Sequence, residues 1–378
     1  MRKVLALLCI LLMAAACGPA AQPTTATSVE AAPKPEQALV TDHPEATRIG
    51  QEVMRKGGNA VDAAVAVHFA LAVCYPYAGS LGGGGFMVVR TASGEVRTLD
   101  FREVAPLAAS EKMFQDSKGN VLPNVSVKGH KASGVPGMVD GMAKAHAELG
   151  SLPWADLVQP SVDLARKGFK VTARQAKQFN DEAGDFARYS ASAQYLKKSS
   201  PWKEGDLLVQ EDLAKTLERV RDSGRAGFYE GETAHLIAED MKRNGGLITE
   251  EDLKNYSSVW REPLQAKWRD YEIATMGPPS SGGIILLQLL CMTDAYPLQQ
   301  WGWGHPSTVH VIAEAERRAF ADRATHLGDP SFWKVPVKQL LDSAYLVQRM
   351  QGVTAESKAT PSSQVAAGQF AKESDETT

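Results

Sequence analysis

Three stretches predict a mixed α/β (α+β) protein. Phe86-Met87-Val88-Val89 and Val96–Phe101 read as two strands joined by the turn residues Thr91-Ala92-Ser93-Gly94. Ala60–Val73, AVDAAVAVHFALAV, is almost wholly small and apolar, so it reads as a core helix too short to span a bilayer. Leu264, Ala266 and Trp268 alternate within Trp260–Met276, which reads as further strand material.

Taken in order, the chain opens on a secretory pattern. Residues 1–16 carry Arg2 and Lys3, then an apolar run from Val4 to Met13, then small residues. Ala14-Ala15-Ala16-Cys17-Gly18 is similar to a bacterial lipoprotein box, in which Cys17 becomes the lipidated first residue. Plain cleavage beside an incidental cysteine is the alternative. Residues 17–38, rich in Ala, Thr and Pro, read as a flexible tether behind that anchor. The expectation is an exported protein, periplasmic or in the cell envelope, held to a membrane by acyl chains only.

His43–Lys56 reads as a helix with Pro44 in its first turn. Asn59 then caps Ala60–Val73, with Asp62 in a capping-box position. His68, in the middle of that helix, reads as a core or boundary histidine. The glycines Gly82–Gly85 come before a strand, whereas a phosphate cradle needs strand, loop and helix in that order. They therefore read as a place of close backbone approach. The hairpin puts Leu99 and Phe101 on one face and ends on the charges Asp100, Arg102 and Glu103. Taken alone, Arg102 reads as a salt-bridge partner of Asp100 or Glu103.

Gly134–Gly137 reads as a tight connection into a helix, Met138–Leu149, and Trp154 starts another that Gly168 ends. Residues 170–260 read as mostly helical and polar, with Thr249 capping a late helix. Ser280 and Ser281 sit in a turn before an apolar helix, Ile284–Met292. No nucleophile elbow surrounds them, so they read as caps. Val309–Asp322 reads as amphipathic, with Glu314, Glu316, Arg317 and Arg318 on a charged face; carboxylates two apart do not share a helix face, which argues against a dyad. Residues 353–378 read as an exposed, mobile tail.

At 378 residues the chain suffices for one large domain or two medium ones. A net charge of −3 and no basic block exclude a nucleic-acid footprint. No Cys/His set has zinc spacing, and no metal or cofactor is expected. Cys74 and Cys291 lie in apolar runs as free thiols or as a pair.

GGNAVDAAVA, LGGGGFMVV, LDFREVAP, ASGVPGMVDG, MGPPSSGG, EAERRAFADRATHLGDP and the terminal ESDETT together resemble the gamma-glutamyltranspeptidases. These are N-terminal-nucleophile hydrolases with an αββα sandwich fold. The resemblance covers nearly everything after residue 40. It implies a precursor that cuts itself between Glu376 and Thr377, making Thr377 an N-terminal nucleophile whose own α-amine is the base. It implies that Arg102, in the FRE motif, binds the α-carboxylate of the γ-glutamyl group. The implied substrates are glutathione or another γ-glutamyl compound, with water, an amino acid or a peptide as acceptor. The implied partner is a small subunit from the same precursor.

On this reading residues 39–352 are the large-subunit domain. The chain ends two residues past the cut and is expected to be inactive without the small subunit. Two other readings stay open: an acylase of the cephalosporin or glutaryl type on the same fold, and a non-catalytic surface lipoprotein.

Overall fold

The computed structural model describes residues 37–189 and 198–370. The expected leader, Cys17 and the expected tether up to residue 36, and Glu376 and Thr377, lie outside the described residues. All elements below belong to the unit Leu39–Thr378.

The first two helices form because their ends are satisfied locally. In α1 (Pro44–Arg55) the His43 ring nitrogen accepts the Glu45 N–H, and Ala46, Ile49 and Val53 make one buried face. In α2 (Ala60–Cys74) the Asn59 side chain accepts the Val61 and Asp62 N–H groups, and Asp62 answers the Asn59 N–H. This helix has no polar face, and it is buried on nearly every side between α1, α3 (Met138–Leu149) and α4 (Trp154–Lys167). Asp62 is fully buried. Burial disfavours its charge, but Ser151 Oγ at 2.5 Å and the Ser151 and Leu152 N–H groups outweigh that and lower its pKa. One carboxylate thus caps α2 and fixes the α3–α4 turn.

Beyond α4 come a short ribbon of β3 (Phe169–Lys170) with β4 (Leu207–Leu208) and the helices α5 (Ala173–Asp181), α6 (Ala183–Tyr189) and α7 (Glu211–Ser223). Then follow α8 (Ala226–Tyr229), α9 (Gly231–Arg243) and α10 (Glu250–Asn255), the last capped by Thr249 as its sequence requires. The main core runs through Phe69, Leu99, Phe101, Met142, Leu157 and Leu217.

β1 (Phe86–Arg90), β2 (Val96–Asp100) and β5 (Val259–Arg261) form an antiparallel sheet with β2 in the middle. Phe86 faces Asp100, and Leu99 lies between Met87 and Trp260. The apolar run at Phe86–Val89 reads as a buried strand, yet in β1 only Met87 is buried and Val88 is 47% exposed. β1 is an edge strand with one covered face, so alternate residues face outward. A separate hairpin pairs β6 (Leu264–Trp268) with β7 (Tyr271–Thr275).

A second core gathers α11 (Gly282–Thr293), α12 (Leu298–Trp301), α13 (Pro306–His326) and, after the short α14 (Val337–Leu340), α15 (Ser343–Arg349) around Met292, Val311, Ala315, Ala319 and Leu346. Here the expected charged face is corrected. Glu314 is fully buried, one position from the apolar line of 311, 315 and 319. It accepts from Arg317, from Arg318 Nη1 at 2.6 Å, and from the Thr360 N–H and hydroxyl at 2.8 and 2.6 Å. Two turns on, buried Asp322 accepts the Gly368 N–H, the Tyr345 hydroxyl and Arg349. Residues 360–368 therefore retrace α13 with their backbone anchored at both ends, although most of the segment is exposed. Cys74 and Cys291 are free thiols, and burial pushes the Cys74 thiol up to about 12.

Burial works against the Glu314 charge, but the Thr360 and Arg318 bonds outweigh it and bring the carboxyl from its ordinary 4.5 to about 2. A depressed folded value means stabilisation that is complete above the unfolded value and lost as pH falls through the folded one. Glu314→Gln is expected to cost about 3 kcal/mol at neutral pH. The gap to wild type should narrow as pH drops from about 4.5 to about 2. Denaturant titrations of both proteins at neutral and acid pH test this, and an equal gap at both would show that Glu314 is not the titrating anchor.

Candidate functional site

The site is built around the point where β2 leaves the sheet, at Phe101–Arg102. The loop Gly82–Gly85 lies directly against it. Phe101 and Gly85 exchange both backbone hydrogen bonds, at 3.0 and 3.2 Å. The Gly83 carbonyl accepts the Gly137 and Met138 N–H groups that open α3. A Cβ at Gly84 would come within 2.4 Å of the Phe101 carbonyl oxygen. Gly84 and Gly85 thus serve close approach to Phe101, as their position before a strand predicts.

From the other side, Gly137 faces the same peptide. A Cβ there would stand 2.0 Å from Tyr256 Oη and 2.1 Å from the Phe101 oxygen. Gly141, one turn on, leaves room for the Phe101 ring in the same way. His68 closes the back, its ring edge-on to Phe101 at 6.0 Å and its Nδ1 at 3.0 Å from the Ala64 carbonyl. Burial lowers its pKa and keeps it neutral, the core role its sequence position implies.

Both backbone groups of Arg102 are held. Its N–H donates to Asp100 Oδ1 at 3.1 Å, and its carbonyl accepts from Tyr256 Oη at 2.8 Å. Its side chain is exposed, with the Phe86 ring 5.9 Å away. The salt bridge that the isolated sequence favours is not made. Asp100 is 8% exposed and gives its other oxygen to Arg261 Nε at 2.7 Å, from the neighbouring strand β5. Among the described residues the Arg102 guanidinium has no ion-pair partner, and Glu103 pairs with nothing either. An unpaired guanidinium on a fixed backbone is suited to a bidentate carboxylate.

Behind this lies a network the sequence did not announce. Asp140, 5% exposed in the first turn of α3, accepts the Ser258 N–H and hydroxyl on one oxygen and Arg225 Nε at 2.6 Å on the other. Arg225 Nη2 donates to the Tyr256 carbonyl at 2.6 Å. The Tyr256 ring stacks on Tyr229 at 5.8 Å and 9°. Asp140 stands inside a recognisable motif, between Gly137 and Gly141, and an acid among glycines at a helix start was the available signal. Tyr256 offered only the triplet Asn255-Tyr256-Ser257, which points to no role at Arg102.

Ser281 occupies the N-cap position of α11 but its hydroxyl makes no cap bond; it accepts from Arg323 Nε at 3.0 Å instead. Ser280 Oγ meets the Gly282 N–H at 3.3 Å, so the expected capping falls to the first serine. Among the described residues no group of three His, Cys, Asp or Glu is placed to hold a metal, and no helix is long and apolar enough to cross a membrane. Thr377, Glu376 and Cys17 are outside the described residues, so their places relative to Arg102 are not part of this geometry.

A family model described as gamma-glutamyltranspeptidase matches residues 46–378. The glutathione hydrolase proenzyme of Escherichia coli (strain K12) is 43% identical over 336 residues, 88% of this chain and 58% of that protein. The Acylase ACY 1 proenzyme of Pseudomonas sp. (strain SE83) is 39% identical over 318 residues, 82% and 57% of the two. The crystal structure of Helicobacter pylori gamma-glutamyltranspeptidase matches with a TM-score of 0.86 at 43% identity, covering 90% of this chain and 100% of that one. The chain spans about half the length of the curated relatives it matches.

The crowding at Gly137 gives a direct test. Gly137→Ala should destabilise the protein by about 1–3 kcal/mol, because neither a carbonyl nor a stacked tyrosine can withdraw freely. Gly184→Ala, in α6 with nothing within 4 Å of its added methyl, should be neutral or stabilising. Thermal melts of the two variants check the contrast, and equal melting temperatures would rule out the pinch at Gly137.

Proposed function

We propose a function from one premise: the chain belongs to the gamma-glutamyltranspeptidase family. As the large-subunit part of such an enzyme, with a small subunit from the same precursor, it takes part in transfer and hydrolysis of γ-glutamyl amides, glutathione among them. Arg102 grips the α-carboxylate of the donor. After cleavage between Glu376 and Thr377, the Thr377 hydroxyl attacks the γ-carbonyl carbon while its α-amine takes the proton. The amide C–N bond breaks, the leaving amine receives that proton, and an ester joins the γ-glutamyl group to Thr377. Water or an amino-acid amine then attacks the ester, releasing glutamate or a new γ-glutamyl amide and restoring the hydroxyl. No metal or redox cofactor takes part in these steps. The leader pattern and Cys17 support export and a lipid anchor in the cell envelope.

The observation that carries this reading is Arg102: backbone held at both polar groups, guanidinium exposed and unpaired. Its N–H partner Asp100 is already committed to Arg261, so the charge is left for a ligand. A second reading has support from the acylase relative. A glutaryl amide is a γ-glutamyl amide without its α-amine, so it presents Arg102 with the same carboxylate.

In the complete, processed precursor, Arg102→Ala should lower kcat/KM for a γ-glutamyl anilide by about a hundredfold or more, and Arg102→Lys should recover only part of it. Unchanged kcat/KM would remove Arg102 from the site. Run on wild type, γ-glutamyl and glutaryl anilides should differ by orders of magnitude, and a glutaryl lead would turn the assignment to acylase. Intact mass of the protein from its natural source should show a larger chain ending at Glu376, with acyl mass on Cys17, and a smaller one beginning at Thr377. One uncut, unacylated chain would overturn both the processing and the anchor.

A further inference from the structure

We propose that Tyr256 is a positioning residue for Arg102, and that Asp140 and Arg225 act through it to set how well the site tells a donor with an α-carboxylate from one without. This rests on the assignment of Arg102 above.

The argument starts from what fixes a guanidinium. An arginine side chain is long, and a carboxylate is held in a fork only if the chain leaves the backbone in one direction. That direction depends on the backbone dihedrals on either side of Cα. On the N-terminal side of Arg102 the Asp100 carboxylate takes the N–H, and Asp100 is itself held by Arg261. On the C-terminal side the only hydrogen bond to the carbonyl among the described residues comes from Tyr256 Oη. The peptide that follows has no strand partner until Val104 pairs with Val135. Without the tyrosine hydroxyl, the carbonyl of Arg102 is free to swing.

Tyr256 is in turn unable to move. It is 5% exposed, its ring lies flat on Tyr229, and its hydroxyl occupies the space that Gly137 leaves open. Arg225 holds the Tyr256 carbonyl, and Asp140 ties Arg225 to Ser258 two residues on. The Tyr229 hydroxyl donates to the Pro136 carbonyl, which locks the stack to the start of α3. The chain of contact from Asp140 to Arg102 is thus continuous, and its last link is one hydroxyl. None of these groups except Arg102 need touch the donor.

The test uses the complete, processed enzyme, with rates expressed per mole of cleaved chains. Two donors are compared: a γ-glutamyl anilide and a 4-aminobutanoyl anilide, which keeps the amine and lacks the carboxylate. Tyr256→Phe keeps the ring and removes the hydroxyl. It should raise KM for the γ-glutamyl donor about tenfold with kcat changed less than about threefold. The preference for the carboxylate-bearing donor should fall by about the same factor. Arg225→Lys, which keeps the charge but cannot reach Asp140 and the Tyr256 carbonyl with two nitrogens of one plane, should shift the preference the same way, more weakly, and serves if the phenylalanine variant fails to mature. In the Arg102→Ala background, Tyr256→Phe should have no further effect on the preference.

A merely structural role would lower both donors' rates in proportion and leave the preference where it was. That outcome in both variants overturns the proposal. Failure of the Arg102 assignment is seen separately, as an Arg102→Ala enzyme that keeps the wild-type preference. In that case the proposal falls with its premise.

Discussion

The structure turns on how closely backbone meets backbone at Phe101–Arg102. Three segments far apart in the chain converge there: the Gly82–Gly85 loop, the start of α3 at Gly137 and Gly141, and Tyr256 after α10. None can retreat, since each supplies a hydrogen bond or the room for one. An unpaired buried backbone group costs about 1–3 kcal/mol, more than a side-chain adjustment recovers. The hairpin, the entry to α3 and the exit of β2 are therefore one constraint seen from three sides. That constraint leaves Arg102 with a held backbone and a free side chain.

Buried carboxylates do a related job elsewhere. Asp62 joins α2 to the α3–α4 turn, Asp140 joins α3 to Arg225 and Ser258, and Glu314 and Asp322 join α13 to residues 360 and 368. Each accepts several bonds, at least one from a backbone N–H, as a buried carboxylate must if it is to stay charged. In every case at least one partner lies 46 residues or more away. Apolar packing alone would place the same helices in contact, but it would not choose which turn faces which.

Much of the fold was legible because it is local. The Asn59 and Thr249 caps, the helix beginning at Met138 and the hairpin turn at Thr91–Gly94 all follow from neighbours within a few residues. The motif around Arg102 was legible as a resemblance. What escaped was set by distant partners. Arg261 takes Asp100 because β5 pairs with β2, a pairing no periodicity reveals, and the bland salt bridge for Arg102 fell with it. Glu314 looks like a surface residue beside Glu316, Arg317 and Arg318 until Thr360 arrives. Val88 looks like core until β1 proves to be an edge. Tyr256 is an ordinary helix-end tyrosine in sequence, and only the emptiness at Gly137 gives it a role.

The geometry at Arg102 also bears on what the site can select. A guanidinium attracts a carboxylate and repels an ammonium, and an amino-acid end carries both on one carbon. On the proposed assignment, a donor seated on Arg102 would turn its α-amine away from the guanidinium, so a single arginine would fix the orientation of the α-carbon as well as its position. The group that rewards the amine must lie on the far side and be an acceptor or an anion. Under the proposed assignment Arg102 would treat γ-glutamyl and glutaryl donors alike, because their carboxylates are the same. On that assignment the choice between transpeptidase and acylase chemistry would fall to what stands opposite the arginine, while the constraint at Phe101–Arg102 would serve both.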